Sequence, residues 1–178
     1  MDKKIGIVIC NYNKQDDIVN CIRSVLDSSM QDVDVYVVDN ASTDASVKNI
    51  RQNFGDRVVL LENRENLGGS GGFNTGLREA LKHSYTYIML MDNDIIADKY
   101  AVEELYTYME ANPDVGMAGS KVYFMDDPDR IWGYGGNIDF TEYRQKDLYK
   151  NLTDDSVPET DFCDYVAACS LMARTEAV

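Results

Sequence analysis

Four short β-rich runs in the first half of this chain each end at a polar cluster of asparagine, aspartate or glycine. Ile5–Cys10 stops at Asn11-Tyr12-Asn13, and Val33–Val38 stops at Asp39-Asn40. Val58–Leu61 is followed shortly by Asn66-Leu67-Gly68-Gly69, and Tyr85–Met91 runs into Asp92-Asn93-Asp94. Short, nearly continuous apolar runs read as parallel strands buried on both faces. Between them lie segments with helical spacing: Asp16 to Ser28 (Ile18, Val19, Ile22, Val25, Leu26), a stretch carrying Val47, Ile50 and Phe54, and Phe73 to His83. Ser42, Thr43 or Asp44 can cap the second of these. Lys99 to Glu110 is helical again, and Val115–Val122 is strand-like. This alternation predicts an α/β fold with right-handed crossovers and a mostly parallel sheet flanked by helices. In such sheets ligands bind beyond the carboxyl ends of the strands, where strand order reverses. All four polar clusters fall at such ends.

Composition narrows the partners. A chain of 178 residues, 44% hydrophobic and 27% charged, holds one ordinary domain with a sizeable core. Acids outnumber bases 31 to 17, a net charge of −14, and that field argues against nucleic-acid binding. Asp126 to Asp164 alone holds eleven acids and four bases, best read as a solvated, loop-rich surface. Cys10, Cys21, Cys163 and Cys169 form no Cys-x-x-Cys pair, and the single histidine, His83, is distant in sequence, so zinc is not expected. Cys10 in a strand and Cys21 in a helix suit reduced, buried thiols of a cytoplasmic protein. Lys3 and Lys4 before Ile5–Cys10 imitate a signal peptide, but that apolar run is too short for one. No run approaches the ~18 apolar residues of a spanning helix, so a cytoplasmic protein without a transmembrane segment is expected.

Three motifs invite chemistry, each with a plainer alternative. Asp92 and Asp94 are alternate residues leaving a strand and can share a face. Two hard oxygen donors with room for water and phosphate suit Mg²⁺ or Mn²⁺, and equally suit a turn bonded to backbone amides. Asp39 can accept a hydrogen bond from a ribose hydroxyl or a base N–H, or can serve the strand-end turn. The segment Asn66 to Gly76 has five glycines within nine residues, which lets backbone amides approach an anion or lets a helix pack closely. It is neither a Walker A loop nor a dinucleotide fingerprint. Trp132, the one tryptophan, offers a stacking face for a sugar or a core anchor. His83 near a helix end reads as a dipole partner. No Gly-x-Ser-x-Gly elbow or Cys/His pair supports nucleophilic catalysis.

Taken together, Ile7-Val-Ile-Cys-Asn-Tyr-Asn13, Val37-Val-Asp-Asn-Ala-Ser-Thr-Asp44, Asn66-Leu-Gly-Gly69 and Leu90-Met-Asp-Asn-Asp94 resemble the N-terminal, donor-binding part of a family 2 glycosyltransferase with the GT-A fold. The glycine-rich Gly68–Gly76 followed by Trp132 is most similar to the galactofuranosyl- and rhamnosyltransferase-like branch. The resemblance implies inverting transfer of a sugar from a UDP- or dTDP-sugar to a glycan or lipid-linked acceptor, as in cell-wall polysaccharide synthesis. It places Cys10, Asn11, Tyr12, Asp39 and Asn40 around the base and ribose, Asn93 near the ribose, and Asn66, Gly68 and Gly69 along the donor. Asp92 and Asp94 become the Asp-x-Asp motif for Mn²⁺ or Mg²⁺, with Asp94 the direct ligand, and Trp132 is assigned to the acceptor. Residues 1–125 then form the nucleotide-sugar core and 126–178 the incomplete start of an acceptor-side region. The pattern stops abruptly at Val178, so a C-terminal truncation is expected, with the general base beyond Val178 and Asp164 a poor substitute. The full-length protein is expected to associate peripherally with the cytoplasmic face of a membrane. A non-catalytic nucleotide-sugar-binding module is the alternative reading. A nucleotidyltransferase fits less well, because Asn11-Tyr-Asn-Lys14 is not a glycine-rich basic loop.

Overall fold

The protein is described by a computed structural model covering residues 4–178. Lys3 therefore lies outside the described residues. Strands and helices alternate as the sequence predicts: β1 (Ile5–Asn11), α1 (Asp17–Leu26), β2 (Val33–Asp39), α2 (Ser46–Phe54), β3 (Val59–Glu62), α3 (Gly68–Ala80), β4 (Tyr87–Asp92), α4 (Ala101–Ala111) and β5 (Met117–Gly119). Two small antiparallel pairs follow, β6 (Val122–Tyr123) with β7 (Ile131–Gly133) and β8 (Gly136–Asp139) with β9 (Arg144–Asp147). The last strand, β10 (Ser170–Arg174), returns to the main sheet, whose order is β3-β2-β1-β4-β10-β5. The first four strands are mutually parallel, and β10 runs antiparallel to both β4 and β5. The apolar Phe162–Ala173 stretch re-enters the sheet, with β10 inserted between β4 and β5. The sheet of the 1–125 region is thus completed by residues of the 126–178 region.

Side chains alternate across the sheet with the two-residue period of a strand. Ile5, Ile7 and Ile9 of β1, Val35 and Val37 of β2, and Tyr87, Met89 and Met91 of β4 pack on one face with Ile18, Ile22 and Val25 of α1, Ile50 and Phe54 of α2, and Val102 and Met109 of α4. Val8, Tyr36, Val38 and Ile88 face the other way, against Phe73, Leu77 and Ala80 of α3. Each fully buried Ile or Val contributes about 1.5–3 kcal/mol by leaving water. The chain steps outward from β1 through β2 to β3, then crosses back over α3 to β4 on β1's other side. The order therefore reverses between β1 and β4, and their carboxyl ends flank the crevice.

One helix differs from the sequence reading. Helix α3 begins at Gly68 rather than Phe73, so the glycine-rich segment is the helix's own first two turns. A Cβ on Gly72 would overlap the Cys10 thiol, and one on Gly76 would overlap the methyls of Val8 and Val38. These two glycines, one turn apart, let α3 lie directly on β1 and β2, and that close contact repays their poor helix propensity. In the 126–178 region the polar stretch Thr141–Pro158 contains β9, paired through its backbone with β8. Likewise Trp132-Gly-Tyr-Gly-Gly136 supplies the end of β7 and the start of β8. Backbone pairing, not side-chain pattern, orders these segments, so periodicity gave no warning.

Candidate functional site

The strands deliver their polar ends at one level. Asn11 pairs with Asp39 across β1 and β2, and Cys10 pairs with Asp92 across β1 and β4. Asn11 is fully buried and its amide joins all three strand ends. Its Nδ2 donates to Asp39 Oδ1 at 3.1 Å and to Ser42 Oγ at 3.3 Å, while its Oδ1 accepts from Asn93 Nδ2 at 2.7 Å. Asp39, also buried, accepts the Ser42 backbone N–H on its other oxygen at 2.8 Å. Tyr12, one residue beyond β1, is exposed and leaves its ring face open for stacking.

Asn40 does a different job. Its Nδ2 donates to Asn66 Oδ1 at 2.8 Å and to the Gly68 carbonyl at 3.0 Å; its Oδ1 accepts from Asn63 Nδ2 and the Leu67 N–H, both at 3.0 Å. All of its amide's usual capacity is spent on the segment entering α3. Asn66 also accepts the Gly68 N–H at 2.8 Å, so the start of α3 is pinned from two sides, with Gly68 at φ +72°. Gly69 has open space around it. The helix N-terminus thereby stands beside the crevice, and its first-turn N–H groups beyond Gly68 have no intrahelical partner.

Of the two aspartates at the end of β4, Asp92 is left without a partner among the described residues and Asp94 pairs with Lys14. Among the described residues no hydrogen-bond donor reaches the Asp92 carboxylate, while its backbone N–H donates to the Cys169 carbonyl at 3.2 Å. Burial first, and then the Asp94 charge, raises the Asp92 carboxyl above its ordinary value. Asp94 is exposed, and Lys14 Nζ lies 3.5 Å from its Oδ2 while also reaching Asp17 at 3.4 Å. Three thiols surround this segment. Burial pushes Cys10 up to about 11 and Cys21 up to about 12, and it raises Cys169 too, so all three stay protonated. Among the described residues no cluster of three His, Cys, Asp or Glu could enclose a metal. The donor set is therefore two carboxylates, which fits a hard cation that keeps water and takes phosphate oxygens, and does not fit zinc.

Some expected residues stand apart or act otherwise. Trp132 is 42% exposed, which removes the core-anchor alternative, and Lys150 Nζ lies 5.6 Å from its ring centroid. Asp164 is occupied by the Ile138 N–H at 2.8 Å. A depression of about 440 Å³ lined by Tyr123, Pro128, Asp129, Thr153, Asp154 and Asp155 shares no residue with the strand-end cluster. Asp44, not Ser42 or Thr43, bonds the start of α2, through the Ser46 N–H at 2.9 Å. Thr43 instead donates its N–H to Asn13 Oδ1 at 2.8 Å. His83 follows α3 and sits against the rings of Tyr36 and Tyr85. Sequence reasoning missed Lys14, Ser42 and Asn63 as site partners. Polar residues at strand ends were the available signal, but their pairing depends on strand order.

The family model for Glycosyl transferase family 2 matches residues 6–169, nearly the whole chain. The chain belongs to glycosyl transferase family 2. Similar curated proteins include an uncharacterized glycosyltransferase of Haemophilus influenzae, 26% identical over 83% of this chain and 43% of its own length. The poly(ribitol-phosphate) beta-glucosyltransferase of Bacillus spizizenii is 27% identical over 72% of this chain and 25% of its own. This family 2 chain thus spans less than half the length of these curated relatives. Among solved structures, the mannosyltransferase PcManGT from Pyrobaculum calidifontis, in complex with GDP-Man and Mn²⁺, superposes with a TM-score of 0.60 at 23% identity, covering 68% of this chain and 36% of its own. Staphylococcus aureus TarS 1–349 in complex with UDP-GlcNAc gives 0.58 at 19% identity, covering 67% and 34%. The fold is the GT-A fold of these neighbours. No helix among the described residues is long and apolar enough to cross a membrane.

Proposed function

We propose that these residues form the donor site of an inverting, metal-assisted glycosyltransferase that moves a sugar from a nucleotide diphosphate to a glycan or lipid-linked acceptor. The observation that carries this reading is the Asn11 junction, which holds Asp39 on one side and the Asp92–Asp94 segment on the other. Asp39 takes a base or ribose donor, Tyr12 stacks on the base, and Cys10 and Asn93 line the same pocket. Gly68 and Gly69 allow the donor to approach the start of α3. Asp92 and Asp94 hold Mn²⁺ or Mg²⁺, which when bound neutralises charge developing on the departing diphosphate. That Asp92 lacks a protein donor and is raised first by burial and then by the Asp94 charge supports the assignment, since a bound cation would offset both. PcManGT and TarS, crystallised with nucleotide sugars, support the donor class.

Inversion requires the acceptor hydroxyl to attack the anomeric carbon opposite the diphosphate while a general base removes its proton. Asp164, already bonded to the Ile138 N–H, is not assigned as that base; since the chain spans less than half the length of its curated relatives, the base is proposed to lie outside these 178 residues. Trp132, exposed beside Lys150, is proposed for the acceptor side. Relatives named for poly(ribitol-phosphate) glucosylation and poly-β-1,6-N-acetyl-D-glucosamine synthesis support a cell-wall or surface-glycan setting, which we propose lies at the cytoplasmic face of the membrane. The glycine-rich start of α3 with Trp132 supports the galactofuranosyl- and rhamnosyltransferase-like branch. The test is a thermal-shift titration with UDP, dTDP and GDP, each with Mn²⁺, Mg²⁺ or EDTA, on the wild type and Asp94→Ala. Ligand at 100 times its Kd adds about 2.7 kcal/mol to stability. Stabilisation by one pyrimidine diphosphate that needs both metal and Asp94 is expected. A folded protein that no nucleotide stabilises refutes the donor-site reading.

A further inference from the structure

We propose that Asn11 is a positioning residue that couples the Asp39 pocket to the Asp92–Asp94 segment, so that each binds its ligand more tightly when the other is filled, without a phosphate bridging them. This inference rests on the donor-site reading above. A carboxylate is acceptor-only, so Asp39 forces Asn11 to present Nδ2 toward it. The Asn11 Oδ1 must then face the other way, where only a donor is compatible, and Asn93 supplies its Nδ2 at 2.7 Å. Reversing either amide would set oxygen against oxygen at a junction whose Asn11 is fully buried. The orientation of Asn93, flanked directly by the two metal-binding aspartates, and that of the Asp39 carboxylate are therefore one choice, not two. Ser42 closes the relay, because its Oγ accepts from Asn11 Nδ2 and its N–H donates to the second Asp39 oxygen. A cation that fixes residues 92–94 also fixes the groove-side geometry of Asp39, and linkage makes the effect reciprocal.

A nucleoside tests this cleanly, because it has no phosphate through which a metal could touch it. Uridine, thymidine and guanosine affinities are measured by equilibrium dialysis in Mg²⁺ and in EDTA, on the wild type, Asn11→Ala and Asn93→Ala. UDP, dTDP and GDP are run alongside. The wild type should bind its preferred nucleoside about fivefold more tightly in Mg²⁺. That ratio should fall to near one in both variants, whatever their absolute affinity. Asn93 is only partly buried, so Asn93→Ala keeps the test alive should Asn11→Ala not fold. Equal nucleoside binding in Mg²⁺ and EDTA, or none while a nucleoside diphosphate still binds, overturns the coupling and leaves the donor site standing. A ratio that persists in the variants overturns the role of Asn11. Failure of every nucleoside and every diphosphate to bind refutes the donor site itself, and the coupling with it.

Discussion

The two ends of the same sheet are built by opposite rules. At the amino end a network of charged and phenolic side chains closes around Tyr87. Tyr87 donates its hydroxyl to Glu110 at 2.6 Å and accepts from Arg174 Nη1 at 3.1 Å, while Tyr106 joins the same carboxylate and Lys4. Arg174 also donates to the carbonyls of Val115, Met109 and Asn112, closing the C-terminal end of α4. Beside it Tyr85 donates to Asp34 at 2.7 Å and shares a hydrogen bond with Tyr36. At the carboxyl end the amides of Asn11 and Asn40 are fully engaged and Asp39 accepts two hydrogen bonds, while Asp92 has no donor among the described residues. The contrast separates groups that hold the fold from groups held ready for a ligand.

The largest expected break in that contrast comes from Arg174→Ala. It removes the donors that close α4 and takes the partly buried guanidinium away from Tyr87. We expect a loss of about 3 kcal/mol in urea denaturation, from several charge-assisted hydrogen bonds lost together. Nucleotide affinity per folded molecule should not change, because Arg174 pairs with Tyr87 at the start of β4, at the far end from Asp92. A loss of affinity equal to the loss of stability would show that the two ends are not separable.

Asp92→Asn should act in the reverse sense. Replacing a half-buried carboxylate that faces Asp94 and has no donor relieves desolvation and like-charge repulsion, so a gain of about 0.5–1 kcal/mol is expected. The same change should weaken metal-dependent nucleotide binding at least tenfold, or about 1.4 kcal/mol. Chemical denaturation and a Mn²⁺-dependent nucleotide titration on one sample read both effects. A destabilised variant would mean that Asp92 is a structural turn residue, the plainer reading of the Asp-x-Asp motif.

The parallel core and its functional end were legible because burial on two faces imposes an unmistakable run on β1, β2 and β4. The polar clusters were legible for the complementary reason: each interrupts such a run abruptly. What each cluster member does was not legible. Asn11 and Asn40 both sit in the expected donor site, yet Asn40 spends its amide on Asn63, Asn66, Leu67 and Gly68, residues whose proximity depends on β3 lying beside β2. The start of α3 was misplaced because glycine propensity is a local quantity, whereas the contacts of Gly72 with Cys10 and Gly76 with Val8 are tertiary. Arg174 carried no signal at all, since its partners lie up to 87 residues away.

The smallest effect probes strain at the site end. Asn13 and Ala41, just past the ends of β1 and β2, have φ of 52° and 64°, and no non-glycine residue at the amino end has a positive φ among the described residues. Asparagine tolerates that conformation, but alanine in it costs about 1–2 kcal/mol. Ala41→Gly removes the strain and adds unfolded-state entropy worth about 0.5–1 kcal/mol the other way. The net should be a gain of about 0.5 kcal/mol, or roughly 1–2 °C in Tm. The turn around Ala41 is fixed independently by Ser42 N–H to Asp39 at 2.8 Å and Asn40 N–H to the Asn11 carbonyl at 2.8 Å, so nucleotide affinity should hold. If affinity falls while stability rises, the alanine itself keeps Asp39 aimed, and the strained backbone belongs with the unsatisfied carboxylates as part of the site.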